Sequence, residues 1–149
     1  MPQLSMHTPI GDLAISEQNG ALVALDWGWG RDQDKTPLLT EAKRQLDAYF
    51  DGKLTDFDLP LSPDGTAHQK AVWRAMAKIK YGAMMSYGDL AAKIGSSPRA
   101  VGGACGANPI PIIVPCHRVV GSGGKLHGYS GAGGLDTKLA LLRLEGAVL

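Results

Sequence analysis

The apolar pattern changes its period at Ser62-Pro63-Asp64-Gly65, and this change constrains the fold more than any other feature of the 149-residue chain. Before it, residues 4–26 alternate apolar and polar side chains around two turn signals, Thr8-Pro9-Ile10-Gly11-Asp12 and Gln18-Asn19-Gly20, which is the pattern of a β-meander. Leu38, Leu39, Ala42, Leu46, Tyr49 and Phe50 then recur at helical spacing, with Thr36 as N-cap, Pro37 at the first helical position and Gly52 beyond the end. Residues 54–61 read as a further strand. After the break the pattern turns helical, with Val72, Trp73, Met76, Ala77 and Ile79 on one stripe of a helix over residues 67–80. The expected class is therefore α/β in the α+β sense. A small sheet-and-helix lobe (1–62) precedes a mostly helical domain (63–149).

The two parts carry opposite charge. Residues 1–62 hold five Lys or Arg against ten Asp or Glu, whereas residues 63–149 hold ten against four, so a net charge of +1 conceals −5 followed by +6. A basic domain suits a polyanion, because Lys and Arg displace the counterions of phosphates. Hydrophobic residues make up 44% and charged residues 19%, which fits a packed globular chain. No apolar run reaches the roughly 20 residues of a membrane span, and MPQLSMHTPIG lacks the basic and apolar regions of an export signal. Two cysteines eleven residues apart suit a reducing compartment better than a disulfide framework. The expected location is the cytoplasm, with no membrane partner.

Within the basic part, Ser86 and Asp89 open a short helix that stops at Gly95, and Ser97-Pro98 opens a second over residues 98–107. Two short helices across a tight turn have the shape of a helix-turn-helix. The second helix, Arg99-Ala100-Val101-Gly102-Gly103-Ala104-Cys105-Gly106-Ala107, holds three glycines, each about 1 kcal/mol worse than alanine in a helix. A face of small residues admits another backbone closely. That backbone is either a helix of the same protein or a nucleic acid reached by Arg99, and the helix alone does not decide between them.

Asn108-Pro109-Ile110-Pro111 cannot be helical, since each proline biases the preceding residue toward extended geometry. Ile112, Ile113 and Val114 read as a buried strand that delivers Pro115-Cys116-His117-Arg118. Cys105, amid Ala and Gly, is most simply an inert core thiol. Cys116 has a histidine and an arginine beside it, and basic neighbours favour the nucleophilic thiolate. Adjacent residues of an extended chain point apart, so proton transfer from Cys116 to His117 requires a turn or a bridging water. The carboxylates of the basic part are Asp64, Asp89, Asp136 and Glu145. Asp89 and Asp136 suit first turns of helices, whereas Glu145, in the last turn of a helix over residues 135–145, opposes the helix dipole. It is either a solvated surface acid or the partner that orients His117. The glycine-rich residues 121–134 lack any phosphate-loop pattern, and no His or Cys spacing matches a metal site, so neither cofactor nor metal is expected.

Residues 108–120, NPIPIIVPCHRVV, with Tyr129-Ser130-Gly131 and the closing Leu142-Arg143-Leu144-Glu145-Gly146, resemble the methylated-DNA–protein-cysteine methyltransferase family, the O6-alkylguanine-DNA alkyltransferases. The resemblance runs over residues 66–146, and the preceding part is similar to the family's ribonuclease H-like N-terminal lobe. It implies single-use DNA repair, in which an alkyl group passes irreversibly from O6-alkylguanine, and in some members O4-methylthymine, to Cys116. It also implies roles for other residues: His117 deprotonates Cys116 through water, Glu145 orients His117, and Asn108 braces the turn before the active site. Tyr87 hydrogen-bonds the departing guanine, Arg99 fills the gap left by the flipped base, and Tyr129 and Ser130 form a lid. Ala100, Gly102 and Gly103 lie on the helix that the family docks in the minor groove of double-stranded DNA, as a monomer. Three positions depart from the family: His68 stands in place of a Phe, the helix-turn-helix turn is shorter, and the lid reads GAGG.

Two other functions fit parts of the pattern. A helix-turn-helix regulator or damage sensor needs the basic part but not Cys116. A cysteine hydrolase uses Cys, His and Glu but needs neither Arg99 nor the charge asymmetry.

Overall fold

The structure is a computed structural model that describes residues 1–126 and 134–149. They form two compact units, Met1–Asp64 and Gly65–Leu149.

In the first unit, strands β1 (Gln3–Met6), β2 (Leu13–Gln18) and β3 (Ala21–Trp27) form an antiparallel sheet in sequence order. The β2–β3 hairpin closes through Asn19 and Gly20, whose positive φ values of 53° and 79° give the twist that matches the flanking strands. Leu4 faces Ile15, Met6 faces Leu13 and Ile15 faces Leu25, which places one buried apolar face on the sheet. Helix α1 (Pro37–Phe50) covers that face with Leu39, Ala42, Leu46 and Tyr49, all fully buried. Its first turn is fixed by Thr36, whose hydroxyl accepts from the Leu39 amide at 3.1 Å.

The expected strand over residues 54–61 does not form. Leu61 alone makes a bridge to Leu22, and the Gln45 side chain of α1 bonds both the Asp58 amide (2.9 Å) and the Asp58 carbonyl (3.0 Å). A buried glutamine thus satisfies the backbone groups that a ladder would have used.

In the second unit, Thr66 and Gln69 form a reciprocal capping box at the start of α2 (Ala67–Ala77). Helices α3 (Tyr87–Ile94) and α4 (Pro98–Gly106), capped by Ser86 and Ser97 and separated by Gly95 at φ 67°, make the helix-turn-helix. Val72, Trp73, Met76, Leu90, Val101 and Ala104 are its shared core, and Trp73 Nε1 donates to the Ala104 carbonyl at 2.8 Å. Helix α2 ends three residues earlier than the periodicity suggests. The chain tightens after Ala77 through bonds from Lys78 to Ala75 and Ile79 to Met76, leaving Ala77 exposed and Ile79 buried. Strands β4 (Met85–Ser86) and β5 (Val119–Val120) pair in parallel, and α5 (Leu135–Leu144) packs on the turn that precedes β5.

The other expected strand, Ile112 to Val114, is a buried turn. Asn108 Oδ1 accepts from the Ile110 amide (3.0 Å) and Nδ2 donates to the Val114 carbonyl (2.8 Å), while the Val114 amide returns to the Ile110 carbonyl (2.9 Å). The turn forces Ile112 to φ 73°, a conformation costly for a β-branched residue and tolerated only where surrounding contacts impose it. β-Branched residues here fill a core rather than extend a sheet.

Among the described residues no helix is long and apolar enough to cross a membrane.

Candidate functional site

Everything at the site follows from the chain leaving that Asn108 turn. Residues Cys116–Arg118 form a single 3₁₀ turn, held by the Cys116 amide on the Val114 carbonyl (2.8 Å) and the Arg118 amide on the Pro115 carbonyl (3.0 Å). Cys116, His117 and Arg118 are all buried, at 5%, 0% and 6% exposure. The chain thus supplies a turn at the position where an extended strand would have directed the cysteine and histidine apart.

Glu145 is not a solvated surface acid. It is the C-cap of α5, is 5% exposed, and its Oε2 lies 2.7 Å from His117 Nε2. Arg118 grips the same carboxylate side-on, Nε to Oε1 at 2.8 Å and Nη2 to Oε2 at 3.0 Å, and its Nη1 donates to the Ile79 carbonyl at 2.6 Å. A carboxylate only accepts, so Nε2 of His117 carries the proton and a neutral ring has its lone pair on Nδ1. That Nδ1 is buried and makes no hydrogen bond to a described residue. Burial holds the His117 pKa below its ordinary value; Glu145 opposes this, and the charges of Arg118 and Lys138 add to it. The ring therefore rests neutral at neutral pH.

Tyr87 opens α3 and is half-buried. Burial, followed by the nearby sulfurs of Cys105 and Cys116, pushes its hydroxyl up to about 12, so it remains a phenol and a hydrogen-bond donor. With Gly88, Pro98, Gly102, Gly121 and Ser122 it lines a pocket of about 370 Å³. Cys105 packs against Met76, Sγ to Sδ at 3.4 Å, and burial raises its thiol to about 12, the state of an inert core cysteine.

Helix α4 presents Arg99, Ala100 and Gly103 to solvent and buries Val101, Ala104 and Cys105. A Cβ added at Gly102, Gly103 or Gly106 would meet no atom within 4 Å. The glycines are therefore not there for close packing within this unit. His68 takes a surface hydrogen bond to Ser96 Oγ at 2.8 Å. Tyr129 and Ser130 lie outside the described residues.

Sequence reasoning missed Lys138. It is fully buried, donates to the Val119 carbonyl at 2.6 Å, and places its ammonium 3.5 Å from the Tyr87 hydroxyl. The sign that singled out Glu145 applies to it as well, because a cation in the first turn of α5 also opposes the helix dipole.

Asn108 is 9% exposed and each end of its amide serves the Ile110–Val114 turn. Asn108→Ala leaves a buried amide and a buried carbonyl without partners and is expected to cost about 2–4 kcal/mol. Urea denaturation measures this; Asn108→Asp, which keeps the acceptor and loses the donor, falls between the two proteins.

The family description of the 6-O-methylguanine DNA methyltransferase DNA-binding domain matches residues 67–147, and that of its ribonuclease-like domain matches residues 4–63. A methylated-DNA–protein-cysteine methyltransferase of Methanosarcina barkeri is 46% identical over 94% of both chains. The protein of the same name from Mycolicibacterium paratuberculosis is 55% identical over 95% of this chain and 90% of its own. The crystal structure of Mycobacterium tuberculosis OGT in complex with DNA is similar at a TM-score of 0.88 and 43% identity, covering 97% of this chain and 92% of that one. The DNA-binding match alone spans more than half of the sequence and the relatives align along nearly all of it, so the chain belongs to the 6-O-methylguanine DNA methyltransferase family.

Proposed function

We propose that this chain repairs DNA by moving a methyl or other alkyl group from O6 of guanine to Cys116 Sγ, once per molecule. The observation that carries this is the buried His117 ring, fixed at Nε2 by Glu145 with its basic Nδ1 unengaged by any described residue. Through a bridging water, Nδ1 takes the Cys116 proton. The thiolate then forms an S–C bond to the alkyl carbon as the C–O6 bond breaks, and the electron pair passes to the guanine ring, whose developing charge a hydrogen bond from the Tyr87 hydroxyl stabilises until the released guanine takes a proton from water. The imidazolium formed is stabilised by the carboxylate beneath it. The product is a thioether, a stable end point for a single-use protein.

The substrate is a base held in double-stranded DNA. A guanine inside a duplex hides its O6 substituent, so it must be extruded, which costs a few kcal/mol and leaves a hole in the stack. Arg99, exposed in the first turn of α4, fills that hole. The open glycine face of α4 supports docking in the minor groove, where close backbone approach matters. Ten Lys or Arg against three Asp or Glu in the unit Gly65–Leu149 supply the attraction for phosphates. Tyr129 and Ser130, outside the described residues, are assigned to base binding by the family resemblance alone. The protein works as a monomer in the cytoplasm, with alkylated guanine, and O4-methylthymine as a secondary target, in its pocket.

The stoichiometry tests this reading. Incubated with an excess of duplex carrying O6-methylguanine, the protein restores one guanine per molecule and then stops. Continued turnover, or binding with no base restored, overturns it in favour of a hydrolase or a damage sensor respectively.

The glycine face gives a separate prediction. Gly102→Ala with Gly103→Ala is expected to stabilise α4, by about 1 kcal/mol per site, while weakening duplex binding, because the new methyl groups occupy the docking face. Thermal denaturation and fluorescence anisotropy measure the two effects. Gain of stability with unchanged binding places the interface elsewhere.

A further inference from the structure

Arg118 has no part in the chemistry just described, yet it is one of the most tightly held side chains in the site. It is 6% exposed, donates three hydrogen bonds of 2.6–3.0 Å, and lays its guanidinium 5.9 Å over the Tyr81 ring. Burying such a group is costly, and an apolar side chain would often fill the same space as well. What an apolar side chain cannot do is act on Glu145. Arg118 engages both of its oxygens, which stops the carboxylate from rotating away from His117, and it compensates the negative charge before the imidazole encounters it.

The consequence falls on the proton count. The reaction needs one proton shared between Cys116 and His117. If His117 binds a second proton from solvent, Nδ1 is occupied and the thiol has no acceptor. An uncompensated buried carboxylate 2.7 Å from Nε2 would draw in that second proton.

We propose that Arg118 is a positioning residue that keeps His117 a neutral imidazole at neutral pH, by clamping and charge-compensating Glu145. This rests on the reading of His117 as the base. The groups facing His117 among the described residues are Glu145 and Lys138 from α5 and Cys116 and Arg118 from its own turn; the turn that follows α2 contributes the Ile79 carbonyl, through Arg118. Arg118 and Lys138 act in the same direction on the ring, and Arg118 in addition bonds both oxygens of the carboxylate.

The test uses the full chain. Single-turnover methyl transfer from an O6-methylguanine duplex is followed across the acid and neutral range, and the His117 ring is titrated by NMR in the free protein. For Arg118→Gln the His117 midpoint and the acid limb of the rate are both expected to rise by about one pH unit or more. At the foot of the limb the rate then falls about tenfold, while the alkaline plateau changes little. Arg118→Lys, which keeps the charge and loses the fork, falls between Arg118→Gln and the wild type. A rate lowered by one factor at every pH, with an unmoved His117 midpoint, makes Arg118 merely structural and overturns the proposal. If Arg118→Gln does not fold, Arg118→Lys decides alone, an upward shift supporting the proposal and none overturning it. A midpoint that rises while the rate profile stays in place upholds the effect of Arg118 and removes His117 as the base.

Discussion

Cys116→Ala is expected to abolish methyl uptake completely while leaving duplex binding within a few-fold of the wild type. The chemistry resides in one sulfur, and the other thiol, Cys105, does not replace it, because it is buried and held protonated with its pKa at about 12. The DNA-binding face assigned to α4 contains none of the residues of the 116–118 turn, so losing one sulfur atom from the core leaves that face in place. Gel shift and a guanine-restoration assay on the same preparation separate the two properties. Residual methyl uptake in Cys116→Ala would move the acceptor to another residue.

The second large effect belongs to His117. His117→Gln is expected to slow transfer by about 10²–10⁴-fold, the usual contribution of a positioned general base. The fold should persist, since Glu145 retains both of its bonds to Arg118. Iodoacetamide labelling of Cys116 without DNA reports whether the loss lies in the nucleophile. Labelling at neutral pH should fall in His117→Gln and recover as pH rises, because solvent hydroxide then removes the proton that Nδ1 no longer takes. Labelling at the wild-type rate would contradict the assignment of His117 as the base.

Local signals carried most of the fold. The meander is legible because Asn19-Gly20 and the alternation of Leu13, Ile15, Leu22 and Leu25 lie within one short stretch. Helix α1 is legible for the same reason, with Thr36 and Pro37 at its start. The two failures share a cause. Residues 54–61 and Ile112–Val114 both look like strands by composition, but a side chain, Gln45 from α1 in one case and Asn108 at the head of the turn itself in the other, supplies backbone partners that a ladder would have supplied. Periodicity cannot reveal a competitor of that kind.

The site was legible to the extent that its residues violate a local rule. Glu145 stood out because an acid in the last turn of α5 is electrostatically misplaced, and its burial against His117 and Arg118 is the compensation. Lys138 breaks the mirror-image rule and was overlooked, because its compensating partner, the Val119 carbonyl, is a backbone atom that no side-chain pattern announces. Arg118 was seen only as a neighbour of Cys116. Its grip on a carboxylate 27 positions away depends on α5 returning to the 3₁₀ turn, which is a property of the tertiary fold. The meeting of Tyr87 with the pocket wall at Gly102 and Gly121 is likewise tertiary.

The proposed repair chemistry stands or falls with Cys116 Sγ as the atom that accepts the alkyl group. Intact mass followed by a peptide map, after incubation with a duplex containing a single O6-methylguanine, tests it directly. One added methyl group is expected, confined to the peptide that carries Cys116. A methyl group found on any other peptide, or an unmodified protein beside a repaired duplex, would contradict it.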